Sequence, residues 1–111
     1  MVIIKEGVIF RTLRPEVRRI IDIGEIIFDL LGVDLVITSA NDGKHSPESL
    51  HYSGLALDMR IKHIGKVEDK KRAATFLTLA LGDDYDVVLE SLGKPNEHIH
   101  VEYDPPRRKM G

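Results

Sequence analysis

Cysteine is absent from the 111 residues. That excludes disulfides and thiolate metal sites, and it leaves the redox compartment open. No apolar run approaches the roughly 18 residues that a transmembrane helix needs, so no membrane partner is expected. Charge of one sign is not in excess either, since 16 Lys and Arg face 18 Asp and Glu for a net charge of −2. A nucleic-acid partner is therefore not expected. The opening Met1-Val-Ile-Ile-Lys-Glu has no basic region followed by an apolar stretch and a small-residue cleavage site. It does not read as a secretory signal, and cytoplasmic synthesis is the expectation. Repeats and low-complexity tracts are missing. What remains is 42% hydrophobic and 31% charged, the composition of one globular domain with one core. That domain is expected to span residues 1–111 as a monomer, with 104–111, including the basic Arg107-Arg-Lys109, as a frayed tail.

Apolar spacing organises the chain. Val2 to Ile4 and Val8 to Arg11, divided by Gly7, read as short strands. From Pro15 the period becomes helical, with Val17, Ile20, Ile21, Ile27 and Leu31 on one face. Pro15 and Glu16 suit its first turn and Gly32 its end. Gly24 costs this helix about 1 kcal/mol relative to Ala, which points to a close packing contact. Val33 to Ser39 is an apolar, β-branched strand, and Ala40 to Ser53 a polar loop with Asn-Asp-Gly and Ser-Pro turn signals. Leu55 to Ile61 alternates as a strand, with Asp58 on the face opposite Leu55, Leu57 and Met59. Val67 to Leu81 is a second amphipathic helix, stopped by Gly82. Tyr85 to Glu90 and His98 to Tyr103 are strands joined through Ser91 to Asn96, where Gly93 and Pro95 favour a hairpin. The order predicts an α+β domain with a mainly antiparallel β-sheet and two main helices.

Four of the five histidines lie in two short segments, Lys44 to Asp58 and Glu97 to His100. His98 and His100 share one strand face, while Ile99 and Val101 supply the apolar one. A half-buried strand needs no pair of imidazoles on its outer face. Asp58, on a central strand, requires a partner, because an unpaired carboxylate there is costly. Arg60 on the same face would serve, and so would a metal ion. Together His51, Asp58, His98 and His100 offer imidazole and carboxylate ligands, a donor set that favours zinc. Three protein ligands leave a fourth position open for water, the mark of a catalytic site. Glu90 and Glu97 flank the hairpin, and either could take a proton from the attacking water and return it to a leaving amine. Glu48, Glu102 and the Glu68-Asp69-Lys70-Lys71 run read as surface residues, and so does His63.

The segment His45-Ser-Pro-Glu-Ser-Leu-His-Tyr-Ser-Gly-Leu-Ala-Leu-Asp58 with His98-Ile-His100 resembles a known superfamily. It unites zinc D-Ala-D-Ala carboxypeptidases and dipeptidases, phage L-alanyl-D-glutamate endolysins and the Hedgehog N-terminal domain. The likeness spans about Ile37 to Tyr103 and is greatest to small phage-type, Hedgehog-like members. It implies His51, Asp58 and His100 as zinc ligands, with His98 beside the metal to bind an oxyanion or steer a proton. His45 matches a histidine one layer out from the metal. Glu90 matches the glutamate that closes the preceding strand in the Hedgehog-like pattern. Glu97 matches the acid three residues before the last ligand in the dipeptidases and endolysins. Glu90 is favoured, because Glu97 beside His98 should face away on a regular strand. Two departures stand out. The dipeptidase-type arginine has no counterpart in Thr38-Ser-Ala-Asn-Asp-Gly43, where only Lys44 is near as a substitute. Of the Hedgehog calcium cluster only Asp42 has a counterpart, and calcium is not expected.

The resemblance thus implies a zinc-dependent peptidase that hydrolyses peptidoglycan peptides, as a D-Ala-D-Ala carboxypeptidase or a phage-type endopeptidase of the cell wall. The alternative is a zinc-containing, Hedgehog-type module that binds peptide or protein without turnover. A metal-free interaction domain is the third reading.

Overall fold

Helical and strand periodicities are realised in the order β1 (Val2–Ile4), α1 (Pro15–Leu30), β2 (Leu35–Asp42), β3 (Leu55–Arg60), α2 (Val67–Leu81), β4 (Tyr85–Glu90) and β5 (His98–Tyr103). This computed structural model describes residues 1–8, 14–42 and 55–105. The expected strand at Val8 to Arg11 falls almost wholly outside them.

Pro15 stands at the first position of α1, where a missing N–H costs nothing. The helix ends in a Schellman motif: Gly32, at φ 76°, donates to Asp29 O and Val33 donates to Phe28 O, both at 3.0 Å. That use of Val33 explains why β2 begins at Leu35 rather than at Val33 as the sequence suggests. At its far end β2 runs to Asp42, past the expected stop at Ser39. Pairing of Ala40, Asn41 and Asp42 with Leu57, Ala56 and Leu55 overrides the local turn signal.

All five strands form one sheet in the order β1-β2-β3-β5-β4. β1 pairs with β2 in parallel, joined through α1, and the other three pairings are antiparallel. β5 inserts between β3 and β4, so those two strands run parallel on either side of it. The fold is α+β, with a mixed but mainly antiparallel sheet. α1 packs on β2, β3 and β5, α2 packs on β4, and the two helices touch each other. They cover one face, where Leu35, Ile37, Leu57, Met59, Ile99 and Val101 are buried with Val17, Ile20 and Phe28 of α1 and Leu77 of α2. The alternate residues of β3, β4 and β5 therefore point to the face that the helices leave uncovered. Among the described residues, no helix is long and apolar enough to cross a membrane.

Gly24 fulfils its expected role. A Cβ there would lie 3.1 Å from Met59 Cε and 3.3 Å from Leu35 Cδ2. Gly24→Val is accordingly expected to lower stability by about 1–3 kcal/mol through overpacking, measured as a urea midpoint. A midpoint equal to the wild type would disprove the close approach of α1 to the sheet.

Candidate functional site

Three adjacent strands bring the chemistry together on the uncovered face. In the β3–β5 ladder Asp58 stands opposite His100 and Arg60 opposite His98. In the β4–β5 ladder Glu90 stands opposite His98 and Asp86 opposite Glu102. The outcome for Asp58 is specific. Its Oδ1 accepts from His100 Nδ1 at 2.7 Å and lies 3.9 Å from His98 Nε2, and Arg60 forms no ion pair with it. The other His100 nitrogen, Nε2, lies 3.3 Å from Glu102 Oε1. Glu102, read as a surface residue in the sequence, is therefore part of the site, with a side chain only 26% exposed.

His100 is thus clasped by two carboxylates. Partial burial pushes its pKa down, but hydrogen bonds to Asp58 and Glu102, with their negative charge, outweigh burial and leave it raised above the usual histidine value. The arrangement favours positive charge at this point, whether carried by a proton or by a metal ion. His98 is held differently. Its Nδ1 lies 2.8 Å from Asn96 O, a carbonyl that can only accept, so Nδ1 carries the hydrogen. Nε2 is left to face Glu90 Oε1 at 3.3 Å.

Next to this group β2 carries a bulge. The register slips between Ile37 and Ser39, so Ser39 lies opposite Asp58. Bulges of this kind re-aim side chains beside functional sites. A cleft of about 420 Å³ opens here, lined by Lys5, Thr38, Ser39, Asp58, Arg60 and His98 among others.

Glu97 also borders this cleft, but its carboxylate is committed to the helix side. Its side chain is 6% exposed and makes an ion pair with Lys70 of α2. It also accepts from the Gly93 N–H at 3.1 Å, so it ties the β4–β5 link to the helix layer. Lys70, expected at the surface, is 12% exposed because it shares the buried stripe of α2 with Ala73 and Leu77. The Lys70 hydrogen bond first, and then the Gly93 amide, hold the Glu97 carboxyl below its usual pKa of 4.5. A lowered native pKa means that the unfolded chain binds more protons, so this stabilisation is present above about pH 4.5 and is lost as pH falls through the native value. The urea midpoint of Glu97→Gln should fall short of wild type by an amount corresponding to about 2 kcal/mol between pH 5 and 8. That gap should close at lower pH, and a gap independent of pH would refute the ion pair.

His51, the third expected zinc ligand, and His45 both lie outside the described residues. Asp58, His98, His100 and Glu90 are brought together on one face. Missed entirely was a second grouping, Asp86, Glu102 and Asp104, whose oxygens lie within 4.8 Å of one another and could hold a metal ion. Such an all-oxygen set suits a hard cation better than zinc. Only alternation along two strands hints at it in the sequence, and exposed acids share that pattern. His63 is structural, with Nε2 2.7 Å from Asp34 O and its ring tilted against Phe28.

In comparisons with known proteins, no family model, curated protein or solved structure matches this chain.

Proposed function

We propose that the protein is a zinc-dependent peptidase of the D-Ala-D-Ala carboxypeptidase and Hedgehog type, hydrolysing peptide bonds of peptidoglycan. The observation that carries this reading is the pairing of Asp58 with His100 on the sheet face opposite the helices, with the His98–Glu90 pair alongside. A carboxylate and imidazoles are the donors zinc prefers among side chains other than thiolates. Asp58 and His100 would hold the ion, with His51 as the third ligand. Bound zinc supplies Lewis acidity toward the scissile carbonyl and makes water a nucleophile near neutral pH.

The protein's own groups do the rest. Glu90 receives the proton of the attacking water on its carboxylate and delivers it to the leaving amine. His98 is oriented by the Nδ1 hydrogen bond to Asn96 O, and in its doubly protonated form it donates from Nε2 to the developing oxyanion. The buried ion pair of Glu97 with Lys70 argues for Glu90 as the base. The motif from His45 to Asp58 with His98 and His100 is the basis for the wall-peptide substrate and a phage or prophage origin.

The test is incubation of zinc-loaded protein with purified peptidoglycan and defined muropeptides, with products read by mass spectrometry beside a His51→Ala control. Loss of a terminal alanine, or a cut between L-Ala and D-Glu, seen only when His51 is present, is the expected result. Zinc bound at one per chain with no product from any wall peptide would refute the peptidase and assign a Hedgehog-type binding module instead.

A further inference from the structure

We infer that the outer face of the helix layer is a dimer interface, on which α1 of one copy lies antiparallel against α1 of a second copy. This interface does not depend on the peptidase reading. α1 buries Val17, Ile20, Ile27 and Phe28 against the sheet, yet it also leaves Ile26 62% and Leu30 78% exposed. On α2 the pattern repeats, with Leu79 75% exposed and Phe76 half-exposed beside the buried Ala73 and Leu77. The outer face of a surface helix is ordinarily polar. Topology gathers these side chains into one patch. α1 joins the parallel strands β1 and β2, and α2 joins β3 and β4, which run the opposite way. The two helices are therefore antiparallel, and Arg19 of α1 donates to Ala80 O of α2 at 3.1 Å, which sets their register. One turn farther on, Ile23 comes level with Phe76, and Ile26 and Leu79 stand outward of them. A continuous apolar surface of this kind, unlike scattered exposed residues, marks an interaction site.

The charges along α1 specify the partner. Arg18 and Arg19 lie in its first half, and Asp22, Glu25 and Asp29 in its second, which holds no base. Acids toward the C-terminus oppose the helix dipole, so this order does not serve α1 alone. Glu25 and Asp29 also approach the Met1 ammonium, but among the described residues Arg18 and Asp22 form no ion pair. An antiparallel copy of α1 answers the pattern, because the bases of each helix then face the acids of the other at both ends. The apolar residues between them meet their own counterparts, and a two-fold contact of this kind closes at two chains. Asp58 and His100 pair on the opposite face of the sheet and stay clear of the contact.

Sedimentation equilibrium of the full chain, with and without added zinc, tests the interface. The mass should rise from 12.5 kDa toward twice that value as concentration reaches about 500 µM, equally in both conditions. Ile26→Glu and Leu79→Glu should each weaken association by about 100-fold or more, because symmetry buries the new charge twice. Val88→Glu, at an exposed apolar residue of β4, should leave association unchanged. Arg18→Glu and Asp22→Lys should each raise the dimer Kd by about tenfold, and an equimolar mixture of the two should recover wild-type affinity. Circular dichroism of each variant distinguishes lost association from lost fold. A mass of 12.5 kDa throughout, assembly only with zinc, or growth beyond two chains would overturn the interface. So would association that survives Ile26→Glu and Leu79→Glu, or a mixture no tighter than its components.

Discussion

Asp58→Ala is expected to cost more than about 100-fold in zinc affinity and to abolish wall-peptide hydrolysis, while the protein stays folded. Partners one layer out from a metal already cost about 10- to 100-fold when removed, and a direct ligand costs more. Stability should change by less than about 1 kcal/mol, because the Asp58 side chain is 26% exposed and its loss leaves His100 with Glu102 and access to water. Competition against a chelator, wall-peptide turnover and thermal melting measure the three quantities. A further readout does not depend on metal. With the Asp58 hydrogen bond and charge gone, burial weighs more heavily on His100, and its pKa should fall, as followed by NMR titration of the ring in zinc-free protein. Full zinc retention and turnover in Asp58→Ala would sink the ligand assignment. An unmoved His100 would show that the pairing across β3 and β5 does not exist.

Glu90→Gln and Glu97→Gln should separate chemistry from architecture. Glu90→Gln is expected to lower kcat by about 10²- to 10⁴-fold, the usual contribution of a positioned acid–base group, with little change in KM or in the urea midpoint. The Glu90 side chain is 48% exposed, so its charge contributes little to folding. Glu97→Gln should do the opposite. It breaks a pair enclosed between the β4–β5 link and α2, so stability falls while kcat per folded molecule persists. A large kcat loss in Glu97→Gln with Glu90→Gln fully active would reverse the assignment. Full activity in both would exclude either as the base.

These contrasts depend on which side of the sheet each group occupies, and that much was legible in the sequence. Strand alternation has a period of two residues, so Asp58 had to oppose Leu57 and Met59, and His98 and His100 had to oppose Ile99 and Val101. The same alternation sends Glu97 to the helix side. The bounds of β4, β5 and α2, and the start of α1, were equally readable from apolar spacing and end signals. All of these are properties of neighbours in the chain.

Where local signals met tertiary competition, they lost. The Asn-Asp-Gly signal ends β2 too early because it carries no knowledge of β3, which holds residues 40–42 in the ladder. Phe28 is fully buried, while Ile21 and Leu31, which apolar spacing places on the core face, are only partly covered, since the facing of α1 follows from its packing on Leu35 and Met59. The bulge beside Asp58 left no trace in Thr38-Ser39, because it is a relation between two strands.

The sequence by itself determined the element types, their faces and the reservoir of imidazoles and carboxylates, since helical and strand periods are set by covalent geometry. The tertiary structure alone decided that β5 enters between β3 and β4. That choice depends on pairing and packing energies summed over the whole sheet, and it makes Asp58 meet His100, Glu90 meet His98 and Lys70 reach Glu97.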